Sequence, residues 1–111
     1  MQLLKDSTSP AGPGTVVQGG RVDLEDRYIE PTVVTGMTMD CPLMTEEIFG
    51  PILPVLKFKT VDEVIDIVQR GEIPLTIYVF AKDRAFIDQV TGRLQSGSVV
   101  VNDTMYQYGN W

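Results

Sequence analysis

The chain has 111 residues, 43% of them apolar and 22% charged, with a net charge of −6. That suits one soluble domain, able to bury roughly two thirds of its unfolded surface. Nine scattered basic residues argue against nucleic-acid binding. A single cysteine excludes an internal disulfide, and the absence of histidine excludes Ser-His-Asp and Cys-His catalysis and histidine-held metal within these residues. No apolar run approaches the roughly 20 residues that span a bilayer, and the N-terminus does not read as a signal peptide.

Residues 1–14 end in Ser7-Thr8-Ser9-Pro10-Ala11-Gly12-Pro13-Gly14 and read as a linker or loop-rich lead-in. Thr15-Val16-Val17-Gln18 reads as a short strand, ended by Gly19-Gly20. Residues 21–27 alternate charge and apolarity and look exposed. Tyr28-Ile29-Glu30-Pro31-Thr32-Val33-Val34 favours extended structure, with Pro31 pointing to an edge strand rather than a central one. Residues 35–44 look irregular, with Gly36, Asp40 and Pro42 as breakers.

From Ile52 the pattern turns regular. Ile52 to Phe58 is an apolar run that predicts a strand. Thr60-Val61-Asp62-Glu63 is a capping box, followed by Val61, Val64, Ile65 and Val68 at helical spacing and by Gly71, placed for a left-handed helix end. Leu75 to Phe80 predicts a strand, apolar at nearly every position. Asp83 is placed to cap a second helix, roughly 84–95, striped by Phe86, Ile87, Val90 and Leu94, with Gly97 to end it. Val99-Val100-Val101 predicts a third strand. The order β-α-β-α-β argues for an α/β fold with a parallel sheet and right-handed crossovers. Two helices give that sheet thin cover, so the region is expected to be completed by other chain or by a partner.

Few residues carry chemistry on their own. Glu46 and Glu47 are adjacent, and adjacency does not make two carboxylates converge, so they read first as solvated loop charges. Cys41 has no histidine to activate it and reads as an inert thiol. Met37, Met39 and Met44 read as packing residues. Asn102 and Asp103 follow a strand at the end where open α/β sheets present ligands.

Four motifs in order carry a resemblance. Thr45-Glu46-Glu47-Ile48-Phe49-Gly50-Pro51 resembles the Glu-Glu-x-Phe-Gly-Pro signature of the aldehyde dehydrogenase superfamily. Gly19-Gly20 with Tyr28-Ile29-Glu30-Pro31-Thr32 resembles that family's Gly-Gly…Tyr-x-x-Pro-Thr segment. Pro74-Leu75-x-x-Tyr78-Val79-Phe80 and Ser96-Gly97-x-Val99-x-x-Asn102-Asp103 resemble its class 3 and fatty-aldehyde branch. The resemblance covers about residues 16–103.

It implies a β-α-β-α-β parallel-sheet portion of an aldehyde dehydrogenase-like catalytic domain, incomplete, with residues 15–111 as part of that domain. The implied activity is oxidation of aldehydes to carboxylic acids with NAD or NADP through a cysteine thioester. The resemblance gives Glu47 the ribose hydroxyls of the cofactor and Phe49 the nicotinamide side, with Asn102 and the residues after it near the substrate. It transfers no catalytic residue and no metal ligand: the family's nucleophilic cysteine and general-base glutamate lie in segments preceding those matched here. Cys41 does not stand where the family has its nucleophile, and Tyr106 to Trp111 do not match the family's Pro-Phe-Gly-Gly segment. The chain is therefore expected to be a fragment, inactive alone, of a soluble, cytoplasmic, homodimeric enzyme acting on a small-molecule aldehyde. The alternative is a non-catalytic interaction or structural module derived from a dehydrogenase, in which Glu47 is dispensable.

Overall fold

Residues 14–105 are described by the computed structural model, in two units that meet in sequence at Lys57 and Phe58. The expected lead-in, apart from Gly14, and the aromatic tail from Tyr106 lie outside the described residues.

The first unit is built on β4 (Thr32–Thr35), whose Thr32 and Val34 are buried. β1 (Thr15–Gln18) pairs antiparallel with one edge of β4, with an irregularity between Val16 and Gln18. β5 (Ile52–Val55) pairs parallel with the other, Val34 opposite Pro54. The extended piece foreseen over 28–34 is therefore two strands. β3 (Tyr28–Ile29) closes a small hairpin with β2 (Val22–Asp23). Asp23 Oδ1 accepts from the N–H groups of Glu25 and Asp26, at 3.1 and 3.2 Å, and bends that loop.

β4 is central, not an edge, which corrects the reading based on Pro31. The proline falls just before the strand, so its missing N–H costs the ladder nothing. The edges of this sheet are β1 and β5, and Pro54 is tolerated on β5. Pro42 likewise opens a one-turn helix, α1 (Pro42–Thr45), rather than breaking structure; its fixed φ suits a first helical position. Val34, Met37, Cys41 and Leu43 form the core, with Val16, Val22, Met44, Ile48, Ile52 and Leu56 packed around it.

A long-range lock joins β1 to β4. The Thr32 hydroxyl accepts from the Gly20 N–H at 2.9 Å and donates to the Glu30 carbonyl at 2.6 Å. Gly19, at φ 78, lies so close to Pro31 that a Cβ there would strike the Pro31 carbonyl. This accounts physically for the Gly-Gly…Pro-Thr spacing: each part makes room for, or bonds to, the other.

The second unit follows its local signals. α2 (Val61–Gln69) is capped by Thr60, whose hydroxyl accepts from the Glu63 N–H at 3.3 Å. Glu63 reaches back one residue further than the capping box foresaw, to the Lys59 N–H at 2.7 Å. Gly71 is not left-handed: positive φ among the described glycines is confined to Gly19, Gly20 and Gly36. The Gly71 N–H donates instead to the Val68 carbonyl at 3.2 Å.

α3 (Arg84–Arg93) is capped by Asp83, which accepts from the Ala85 N–H at 2.9 Å. It ends at Arg93, before Gly97. That glycine serves a close approach instead: a Cβ on it would lie 2.7 Å from the Leu75 carbonyl oxygen. β6 (Thr76–Val79) and β7 (Ser98–Val101) pair in parallel across α3. Ile65, Val79, Ile87, Val90 and Leu94 make the core, joined by Ile77 from β6. Both helices thus pack on the Ile77–Val79 face, while Tyr78 and Phe80, which point the other way, remain exposed.

The β-α-β-α-β order is present as β5-α2-β6-α3-β7, and the fold class is α/β. β5 takes its ladder from β4 and β6 from β7.

Candidate cofactor-contact site

The stretch between α1 and β5 is shaped by its backbone. α1 ends where the Glu46 N–H donates to the Pro42 carbonyl at 3.0 Å, and Glu46 itself is extended at φ −118 and ψ 151. Two three-residue turns follow. The Gly50 N–H donates to the Ile48 carbonyl at 3.0 Å, with Phe49 at the tip, and the Ile52 N–H donates to the Gly50 carbonyl at 2.9 Å, with Pro51 at the tip. The Thr32 N–H donates to the Pro51 carbonyl at 2.8 Å and ties the second turn to β4.

Side chains divide accordingly. Ile48 packs on the first unit's core. Glu47 and Phe49, on either side of it, face solvent. Phe49 is 90% exposed, an extreme value for a phenylalanine on a turn held at both ends. Among the described residues Glu47 has no hydrogen-bond or ion-pair partner. A Cβ at Gly50 would meet nothing within 4 Å, and its φ is not positive, so the fold alone does not require glycine there. An ionised carboxylate can accept from both hydroxyls of a vicinal diol, and a bare ring offers a flat apolar face. A glycine between ring and strand lets a ligand approach the backbone.

The other sequence candidates separate from this pair. Cys41 is 4% exposed and sits in the core beside Met37 and Leu43. Asp40, just ahead of α1, has its carboxyl held below the usual range by the Thr38 hydroxyl and by a backbone N–H. A hollow of about 380 Å³ lies at the carboxyl ends of β4 and β5, between Thr35, Met37, Val55 and Lys57. Glu47 and Phe49 precede the amino end of β5, opposite the place general sheet rules favour. Asn102 and Asp103 belong to the second unit, and the Asn102 side-chain amide bonds to Ala81. Sequence reasoning missed that use; an asparagine directly after a strand, able to adopt left-handed φ, was its available signal. The described residues contain no group of three or more Cys, Asp or Glu arranged to hold a metal, and no helix among them is long and apolar enough to cross a membrane.

Comparison with known proteins agrees with the four motifs. The model of the aldehyde dehydrogenase family matches residues 7–110. Aldehyde dehydrogenase family 3 comG of Dictyostelium discoideum is 43% identical over 97 residues, 87% of this chain and 21% of that protein. Aldehyde dehydrogenase family 3 member B1 of Mus musculus is 45% identical over 92 residues, 83% of this chain and 20% of that protein. The substrate-bound state of Staphylococcus aureus AldH superposes with a TM-score of 0.86 at 37% identity, covering 98% of this chain and 23% of that one. The chain spans about a fifth of the length of these curated relatives. With the family model matched over nearly its whole length, the chain belongs to the aldehyde dehydrogenase family.

Proposed function

We propose that these residues form the cofactor-side part of a catalytic domain, residues 15–111, in an NAD- or NADP-dependent aldehyde dehydrogenase that oxidises aldehydes to carboxylic acids. Glu47 accepts from the ribose hydroxyls, and Phe49 lies against the nicotinamide side. The observation that carries this reading is the pairing of an unpartnered Glu47 carboxylate with a 90% exposed Phe49 ring on a turn fixed from behind by Ile48. Gly50 adds to it, because neither its φ nor its surroundings call for glycine. These residues fit a ligand that offers a vicinal diol next to a planar ring.

When bound, the nicotinamide dinucleotide supplies the hydride acceptor. This chain's own residues bind and orient: the carboxylate fixes the sugar, the ring backs the reacting end, and the paired turns keep both from moving. Cys41 is packed in the core and takes no part. The thiol that forms the thioester comes from sequence outside these 111 residues, as does the general base. The intact enzyme is taken to be a cytoplasmic homodimer, on the strength of the family resemblance.

The test is titration of the 111-residue chain with NAD and with NADP, followed by amide chemical shifts. The native chain is expected to respond at residues 46–50. Glu47→Gln keeps the shape and removes the charge, and it is expected to weaken binding about tenfold or more, the loss of a charge-assisted hydrogen bond. Equal binding by a folded Glu47→Gln chain removes Glu47 from the site. No response at 46–50 in the native chain overturns the cofactor contact and favours the non-catalytic module.

A further inference from the structure

Asn102 follows β7 directly, in the left-handed region at φ 55, which asparagine tolerates better than most residues. Its side chain behaves like a peptide group of a strand. Oδ1 accepts from the Ala81 N–H at 3.0 Å, and Nδ2 donates to the Ala81 carbonyl at 2.9 Å. Its own N–H donates to the Val79 carbonyl at 2.8 Å. The two strands are therefore joined one rung past the Val79–Val101 pair, at the point where the left-handed turn takes the backbone out of strand geometry. Asp103, Thr104 and Met105 depart from that rung. The Thr104 N–H donates to the Asp103 carboxylate at 2.7 Å, and Met105 is again left-handed at φ 62. This exit stands at the carboxyl ends of two parallel strands, where open α/β sheets present ligands.

We propose that Asn102 is a positioning residue: its amide, pinned to both polar groups of Ala81, sets the place and direction from which residues 103–105 leave the sheet. Oδ1 and one N–H of Nδ2 are committed to the backbone of Ala81. Asn102 holds Asp103 and Thr104, both exposed, at the ligand-facing end of the pair. As a contribution to catalysis this rests on the dehydrogenase reading; the clamp does not, and the experiment reads the clamp.

Asn102→Asp is nearly isosteric. As a carboxylate it keeps the acceptor for the Ala81 N–H but has no donor for the Ala81 carbonyl. As a protonated acid it has one O–H donor and one acceptor and can restore both bonds. Asn102→Ala restores neither at any pH. Native, Asn102→Asp and Asn102→Ala chains of 111 residues are compared by amide shifts and hydrogen exchange from neutral pH down to about pH 3, below the ordinary aspartate value. Lys82, Asp83 and Arg84 after Ala81, and Asp103 after the clamp, are exposed charges in this region; titrating the native chain in parallel accounts for them.

At neutral pH both variants are expected to shift the amides of Ala81 and residues 103–105, with those of α2 and α3 unmoved, and Asn102→Ala, which has no acceptor, is expected to speed exchange at the Ala81 N–H about tenfold. On acidification only Asn102→Asp returns to native shifts. Its folded state favours the protonated form, so the introduced carboxyl titrates above its unfolded value, and the clamp is present below that pH and lost as pH rises through it. A residue that merely stabilises would lower the melting temperature without moving 103–105 reversibly with pH. Native shifts at 103–105 in Asn102→Ala, or no return of Asn102→Asp in acid, overturn the proposal. If Asn102→Ala does not fold, the acid and neutral spectra of Asn102→Asp decide. Neither outcome touches the Glu47 titration, so the two readings fail separately.

Discussion

Two threonines show how differently the two units are held. Thr60 caps α2 from three residues away, on the surface, and its bond is complete within one turn of chain. Thr32 is 2% exposed, and its hydroxyl joins a carbonyl two residues back to an N–H twelve residues back. The helices of the second unit start on the first kind of contact: a cap, an apolar stripe, a short return. The first unit depends on the second kind, with Gly19 giving way to Pro31 and the Thr32 N–H reaching forward to Pro51. The exposed carboxylate and ring belong to the unit assembled over distance. A regular helix or strand dictates where its side chains go, whereas a pair of three-residue turns can hold Phe49 out into solvent.

That contrast can be broken by measurement. The largest effect is expected at Gly19→Ala, which forces a Cβ against the Pro31 backbone at φ 78 and should cost about 3 kcal/mol or more, read from the protection of the β1 and β4 amides. Thr32→Val keeps the shape and leaves the Gly20 N–H without its acceptor, so about 2 kcal/mol is expected from denaturant unfolding of the same unit. Thr60→Ala leaves the Glu63 N–H to water and should cost about 1 kcal/mol, confined to the first turn of α2. If Thr60→Ala proves as costly as Thr32→Val, the distinction between local and long-range fastening fails. If Gly19→Ala is neutral, the close approach of β1 to Pro31 is not what holds that corner.

Legibility in the sequence follows the same division. The strand at 15–18, the caps at Thr60 and Asp83 and the stripes of α2 and α3 could be read because each signal lies within a few residues of its effect. Pro31 and Pro42 mislead, since a proline's meaning depends on whether it falls inside an element or at its first position, and that is decided by how nearby Val34 and Leu43 pack in a core with distant Val16 and Ile52. Neither Gly71 nor Gly97 serves the helix end its position suggests; Gly97 answers to Leu75, 22 positions earlier. The candidate site was legible only through resemblance. Nothing local distinguishes Glu47 from a solvated charge, and what sets it apart is Ile48 turned inward between two outward neighbours.

The exposed side of β6 also bears on how the chain behaves before it folds. Leu75-Thr76-Ile77-Tyr78-Val79-Phe80 is six uncharged, β-favouring residues without proline or glycine, the composition that stacks into cross-β fibrils. Pro74 stands at one end and Lys82 just past the other, the usual positions of residues that interrupt such stacking. In the folded chain Ile77 and Val79 are withdrawn into the helical core, while Leu75, Tyr78 and Phe80 stay at the surface. The caps on α2 and α3 therefore do more than start two helices. By keeping the helices seated, they hold Ile77 and Val79 out of reach of the same segment on other chains.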